Sequence, residues 1–191
     1  MLRVASNVHG PARWAPVLAA VILAAGCATG PDVQVPTRAG TASLGVAAAA
    51  FTDGGELPAE FTCDGAGDFP AVSWGELPDG TAAVAVLVHD PDAPGGDFVH
   101  RLVSNLGPAS GLLDTAATPA GALELRTSGG TDGWVPPCPP DGDGPHRYVF
   151  TVYALNRPTR LPETAQTQTA IATVTEAAIA SGSVTAQYAR P

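Results

Sequence analysis

His146–Leu155 reads H-R-Y-V-F-T-V-Y-A-L, ten residues without a turn former and apolar on both faces. Such a strand is stable only where both faces are covered, so it belongs inside a sheet with packed layers above and below. Around it lie shorter β-type runs at 44–51, 60–63, 71–74, 82–89, 98–106 and 123–127. Asp53-Gly54-Gly55, Asp64-Gly65 and Pro78-Asp79-Gly80 punctuate them. Strands at this spacing, with no helical period between them, indicate a sandwich. Residues 164–181 differ: Ile171, Val174, Ala178 and Ile179 recur at helical spacing, and Gly182 can serve as the stop. The expected class is mainly β, an antiparallel β-sandwich with a C-terminal helix packed on it.

Two loops carry the chemistry. The run 82–89, A-A-V-A-V-L-V-H, ends at Asp90, and Pro91 bars its continuation because it lacks an N–H and fixes φ. Pro94, Gly95 and Gly96 make the connection sharp. Only seven residues then separate Asp90 from Phe98, which puts Asp90 and His100 at one rim of a sheet. Strict alternation places Asp90 with Val84, Val86 and Val88, and His100 with Phe98, Leu102 and Leu106. It places Arg101 opposite His100, and His89 opposite Asp90 as a structural strand-end histidine. The second loop, 127–145, holds five Gly and five Pro in nineteen residues. That composition suits a loop presenting backbone N–H groups to a ligand. It runs directly into His146, Arg147 and Tyr148.

The N-terminus reads as a targeting segment. Arg3 and Arg13 are its formal charges, and 15–25 is an apolar run too short for the ~20 residues of a spanning helix. Leu23-Ala24-Ala25-Gly26-Cys27 resembles the lipobox of bacterial lipoproteins, with the usual Leu displaced one place early. The expectation is a lipoprotein signal peptide over 1–26, an acyl (palmitate) anchor on Cys27, a flexible tether over 27–42 and one domain over 43–191. The domain would sit at the cell membrane, facing outside the cytoplasm. Two thiols then remain in an oxidising compartment, so a Cys63–Cys138 disulfide is expected.

Charge excludes one class of partner. The chain has nine Arg, no Lys and eighteen acidic residues, a net charge of −9. Loss of Arg3 and Arg13 with the leader makes it more acidic still, which argues against nucleic acid.

Five motifs in order resemble the phosphatidylethanolamine-binding proteins, in particular their bacterial Raf-kinase-inhibitor-like (YbhB/YbcL-type) branch. They are F-T-C-D-G from Phe61, V-S-W-G-E-L-P from Val72, and D-P-D-A-P from Asp90 with F-V-H and N-L-G-P behind it. G-W-V-P-P-C-P-P from Gly133 and the His146–Leu155 strand complete the set. The resemblance implies a β-sandwich with one small anion-binding cavity on a rim, recognising phosphoryl groups such as a phospholipid head. Its ligand-binding residues would be Asp90, Pro94, His100, Gly133, Pro137, Cys138, His146 and Tyr148. Two positions depart from the family pattern. Arg101 stands where an aromatic residue is common, and Pro136 stands where Gly is usual, removing one N–H donor.

The expected function is therefore a lipid-anchored binding protein for a small phosphorylated or other anionic ligand, needing no cofactor and no metal. The alternatives are an inhibitor or interaction protein acting on an exported enzyme, and a metal-dependent or acid/base hydrolase using Asp90, His100 and His146. Neither a G-x-S-x-G motif nor a helical H-x-x-x-H spacing supports catalysis.

Overall fold

The computed structural model describes Met1 and residues 33–36, 39–40 and 42–191. Cys27, the leader and most of the expected tether lie outside the described residues. Strands β1 (Ala42–Ser43), β2 (Val46–Ala48), β3 (Gly55–Glu56) and β4 (Val72–Trp74) precede the long strands β5 (Ala83–Asp90) and β6 (Phe98–Leu106). Then come β7 (Leu112–Leu113), β8 (Leu123–Leu125), β9 (His146–Leu155), α1 (Thr167–Ala177) and β10 (Ala178–Tyr188). A large sheet runs β1-β10-β9-β5-β6-β8, with β3 also on β10, and a small sheet runs β2-β4-β7. Pairing is antiparallel except where β1 and β3 run parallel to β10.

β9 lies between β10 and β5, as its two apolar faces require. Phe150, Val152 and Ala154 point into the core between the sheets, where they meet Val86, Val88, Val72 and Trp74. Tyr153 and Leu155 point the other way, into a second core closed by Ile171 and Val174 of α1. The sandwich unit is thus small sheet, large sheet and helix, and β9 is buried on both sides.

The helix is shorter than the spacing predicts. It stops at Ala177, and the chain passes straight into β10. Val184, Ala186 and Tyr188 alternate into the inter-sheet core, and the strand pairs with β9 from Ala178 to Tyr188. That ladder overrides the weak helical preference of an Ala-rich segment. Gly182 is not a helix stop but a crossing point, since a Cβ there would collide with the carbonyl oxygen of Leu44.

Two predicted strands also change. Residues 44–51 do not form one run, because β1 joins the large sheet and β2 the small one, with Leu44 N–H bonded to Ser181 O at 2.9 Å between them. Residues 60–63 are not extended. Ala59–Phe61 makes a 3-10 turn, which frees Cys63 N–H to donate to Pro137 O at 2.9 Å. The Cys63–Cys138 disulfide, with Cα atoms 5.3 Å apart, adds a covalent tie between this turn and the Pro-rich loop.

Candidate functional site

The end of β5, the start of β6 and the start of β9 converge on one rim of the large sheet. Asp90, His100, His146 and Tyr148 meet there in a cavity of about 210 Å³. Pro94 and Ala93 of the β5–β6 connection close one side, and Val135, Pro136, Cys138, Pro139 and Pro140 close another.

His100 owes its position to an irregularity that alternation does not foresee. Val88 pairs with Arg101 while His89 pairs with Val99, so His100 is an extra residue on β6. A bulge of this kind re-aims side chains at a strand end. The His100 ring packs 4.8 Å from Phe98 and 5.3 Å from Tyr148, centroid to centroid. The same bulge corrects the reading of Arg101. Its guanidinium lies 4.5 Å from the Phe69 ring in the inter-sheet core, on the layer His100 also faces. Glu124 accepts from Nε and Nη2 at 3.0 Å, and Thr115 O accepts from Nη1 at 2.6 Å. Arg101 is fully engaged there and does not line the cavity.

Each imidazole is held through one ring nitrogen. His146 Nδ1 lies 2.7 Å from Asp90 Oδ2, and Asp90 Oδ1 accepts the Asp92 N–H at 2.8 Å. His100 Nδ1 lies 2.7 Å from Val135 O, while Val135 N–H donates back to His100 O at 3.0 Å. A carbonyl can only accept, so the proton of His100 sits on Nδ1 and Nε2 keeps its lone pair. Burial, opposed by the Val135 carbonyl and by Asp90, pushes the His100 imidazole down to about 4. The Tyr148 hydroxyl is buried without a hydrogen-bond partner in the protein. Burial also raises that phenol above its ordinary range, so it stays a donor.

The loop contributes less backbone than its composition implies. Gly133 and Pro137 are not among the lining residues. Gly133 turns the chain at φ 95°, and the Pro137 carbonyl faces Cys63 N–H instead. Pro136, Pro139 and Pro140 have no N–H, and Val135 N–H is taken by His100, so the expected nest of donors is not formed by these residues. Phe98 and Ala93 line the cavity without having been singled out. The signal for Phe98 was its place two residues before His100.

Charged neighbours stand outside. Arg147 grips Asp92 through Nε at 2.8 Å and Nη2 at 2.7 Å, which holds the Asp92 carboxyl below its usual range. His89 faces Asp97 at 3.1 Å and lies off the cavity, as expected for a structural histidine. Among the described residues no three His, Cys, Asp or Glu side chains are grouped to hold a metal ion.

Comparison with known proteins agrees with this architecture. Residues 47–189 match the model of a family described as phosphatidylethanolamine-binding protein. A Mycobacterium tuberculosis protein named as a lipoprotein, LppC, is 42% identical over 135 residues, which cover 71% of this chain and 66% of that one. The chain spans under two thirds of the length of the first such relatives. The crystal structure of Escherichia coli YbcL, described as a member of the mammalian PEBP family, superposes with a TM-score of 0.72. It is 29% identical and is covered completely by 78% of this chain. A PEBP homologue from Chlamydia trachomatis, CT736, also gives 0.72 at 28% identity, covering 79% of this chain and 100% of that one.

Proposed function

This chain belongs to the phosphatidylethanolamine-binding protein family, and on that premise we propose that it is an extracytoplasmic, lipid-anchored binding protein. Its ligand is a small phosphorylated or otherwise anionic molecule held in the cavity between β5, β6 and β9. One observation carries the reading. Three buried polar side chains, Asp90, His100 and His146, share one small wall with the Tyr148 ring, an arrangement suited to a small polar ligand. Asp90 and Val135 hold the two imidazoles beside it in set orientations.

Binding is favoured over catalysis by what lines the cavity. The described lining contains no Ser or Thr, and Cys138 is tied in a disulfide, so no Ser, Thr or free Cys nucleophile faces the ligand. The membrane link is supported by the lipobox-like segment ending at Cys27 and by a relative named as a lipoprotein. Among the described residues no helix is long and apolar enough to cross a membrane.

Calorimetric titration with inorganic phosphate and O-phosphorylethanolamine tests the site. His146→Ala should weaken binding by at least about tenfold, the scale of one charge-assisted hydrogen bond, while His89→Ala should change little. Unaltered affinity in His146→Ala would place the ligand elsewhere. Fractionation of cells expressing Cys27→Ser tests the anchor, with transfer to the soluble fraction expected and an unchanged membrane fraction counting against it.

A further inference from the structure

We propose that residues 33–35 are a clip that turns the rim of the large sheet, with its cavity, toward the membrane holding the Cys27 anchor. The inference rests on the lipid-anchored reading above and adds to it which end of the domain meets the lipid surface.

Residues 33–35 are fastened to the domain in three ways. Both polar groups of the Gln168 side chain meet the Gln34 backbone: Gln34 N–H donates to Oε1 at 2.8 Å, and Nε2 donates to Gln34 O at 3.3 Å. Val35 N–H donates to Asp97 Oδ2 at 3.0 Å, and the other oxygen of that carboxylate faces His89 Nδ1 at 3.1 Å. Val33 and Val35 pack, partly buried, against the core beneath α1. All of these attachments lie at the rim end. Asp97 immediately precedes Phe98, which lines the cavity. Gln168 is in the first turn of α1, where Thr167 Oγ1 donates to Arg126 O at 3.0 Å, next to the end of β8 that pairs with Leu102.

The chain then crosses to the opposite end of the sheet. Ala39 N–H donates to Ser181 Oγ at 3.2 Å, and β1 pairs with Ala180 and Ser181. Those two residues pair with Ala154 and Tyr153 near the last residue of β9, whereas the cavity is at its first. The nine residues of β6 put about 30 Å between the two ends.

Reach then decides orientation. Without the clip, the domain would hang from Ala39 at the far end, on a leash of eleven residues, 28–38. With it, five residues, 28–32, separate Cys27 from Val33, and six extended steps span at most about 21 Å. That is less than the length of the large sheet, so an acylated Cys27 leaves too little chain for the rim to point away from the membrane. The domain cannot stand on its far end.

The test uses the mature, acylated protein in phosphatidylcholine vesicles carrying a small fraction of acceptor-labelled lipid. With the disulfide intact, Gly95→Cys and Ser110→Cys each offer one free thiol for a donor dye, the first on the rim loop and the second on the far-end turn after β6. Neither residue lines the cavity, and a Cβ at Gly95 meets nothing within 4 Å. Energy transfer to the lipid should be at least about twofold stronger from Gly95 than from Ser110, given the ~30 Å between the two ends. Val35→Pro with Gln168→Ala removes the bonds to Asp97 and Gln34, and the difference should then vanish or reverse. Equal transfer from both positions in the wild type, or a stronger signal from Ser110, would overturn the inference, as would a difference that survives unclipping. Protein that fails to float with the vesicles would instead remove the anchor reading beneath it.

Discussion

His146, at the first position of β9, reaches across to Asp90, the last position of β5, and the two side chains meet at 2.7 Å with both residues about 95% buried. The contact links the ends of two neighbouring strands and sets the plane of the His146 ring. Asp90→Ala leaves His146 Nδ1 and the Asp92 N–H without their acceptor. Each orphaned donor costs about 1–3 kcal/mol, so the variant should be less stable by that order and should bind phosphate more weakly. Urea unfolding and titration of the same preparation check both effects. An unchanged affinity would show that Asp90 does not orient the ring.

Acid should destabilise the protein as the pH falls below 6.5. His100 is held down to about 4 in the folded state, against an ordinary value of 6.5. Below 6.5 the unfolded chain therefore takes up a proton that the folded chain refuses, and stability falls as pH drops from 6.5 toward 4. The full effect is about 3 kcal/mol. His89 is lowered by burial as well, against the pull of Asp97, and adds in the same direction. Urea midpoints at about pH 7 and pH 4.5 should differ clearly in the wild type and much less in His100→Gln. Equal acid losses in the two proteins would remove His100 as the cause.

The disulfide closes a loop of sequence separation 75. Chain-entropy reasoning assigns such a bridge about 4 kcal/mol. The double variant Cys63→Ser, Cys138→Ser should unfold at lower urea by that order. Phosphate should also bind it less tightly, since Cys138 forms part of the wall. A loss below about 1 kcal/mol would mean that the Cys63 N–H to Pro137 O bond already holds the loop.

Among the described residues Arg101 is the largest fully buried side chain, and its partner Glu124 is nearly as enclosed. Arg101→Ala strips Glu124 of its cation, leaving it only the Thr118 hydroxyl, and removes the donor to the Thr115 carbonyl, which should cost about 3–5 kcal/mol. Adding Glu124→Leu to an Arg101→Met change should recover most of it, because a matched apolar pair removes the orphaned charge. Thermal and urea unfolding of the single and double variants would decide. A double variant as unstable as Arg101→Ala would show that the Phe69 and carbonyl contacts matter more than the ion pair.

The amino-acid sequence by itself determined which segments become the long strands and where the rim loops fall. The continuous apolar runs of β5, β6 and β9 are a local property, and so is the refusal of Pro91 and Pro94 to continue a ladder. The seven-residue connection also placed Asp90 and His100 at one rim, whereas His146 and Tyr148 were joined to them only by the family resemblance. Pairing decided the rest. The Ala178–Tyr188 segment has no strong preference of its own, and only the waiting edge of β9 makes it a strand rather than the end of α1. The extra residue at His100 exists only in the register of β6 against β5, so alternation along one chain could not place Arg101. Whether the Pro-rich loop offers N–H groups was likewise settled by its partners, since His100 and Cys63 take up its polar atoms. A register and a hydrogen-bond partner are relations between two segments, and neither segment holds that information alone.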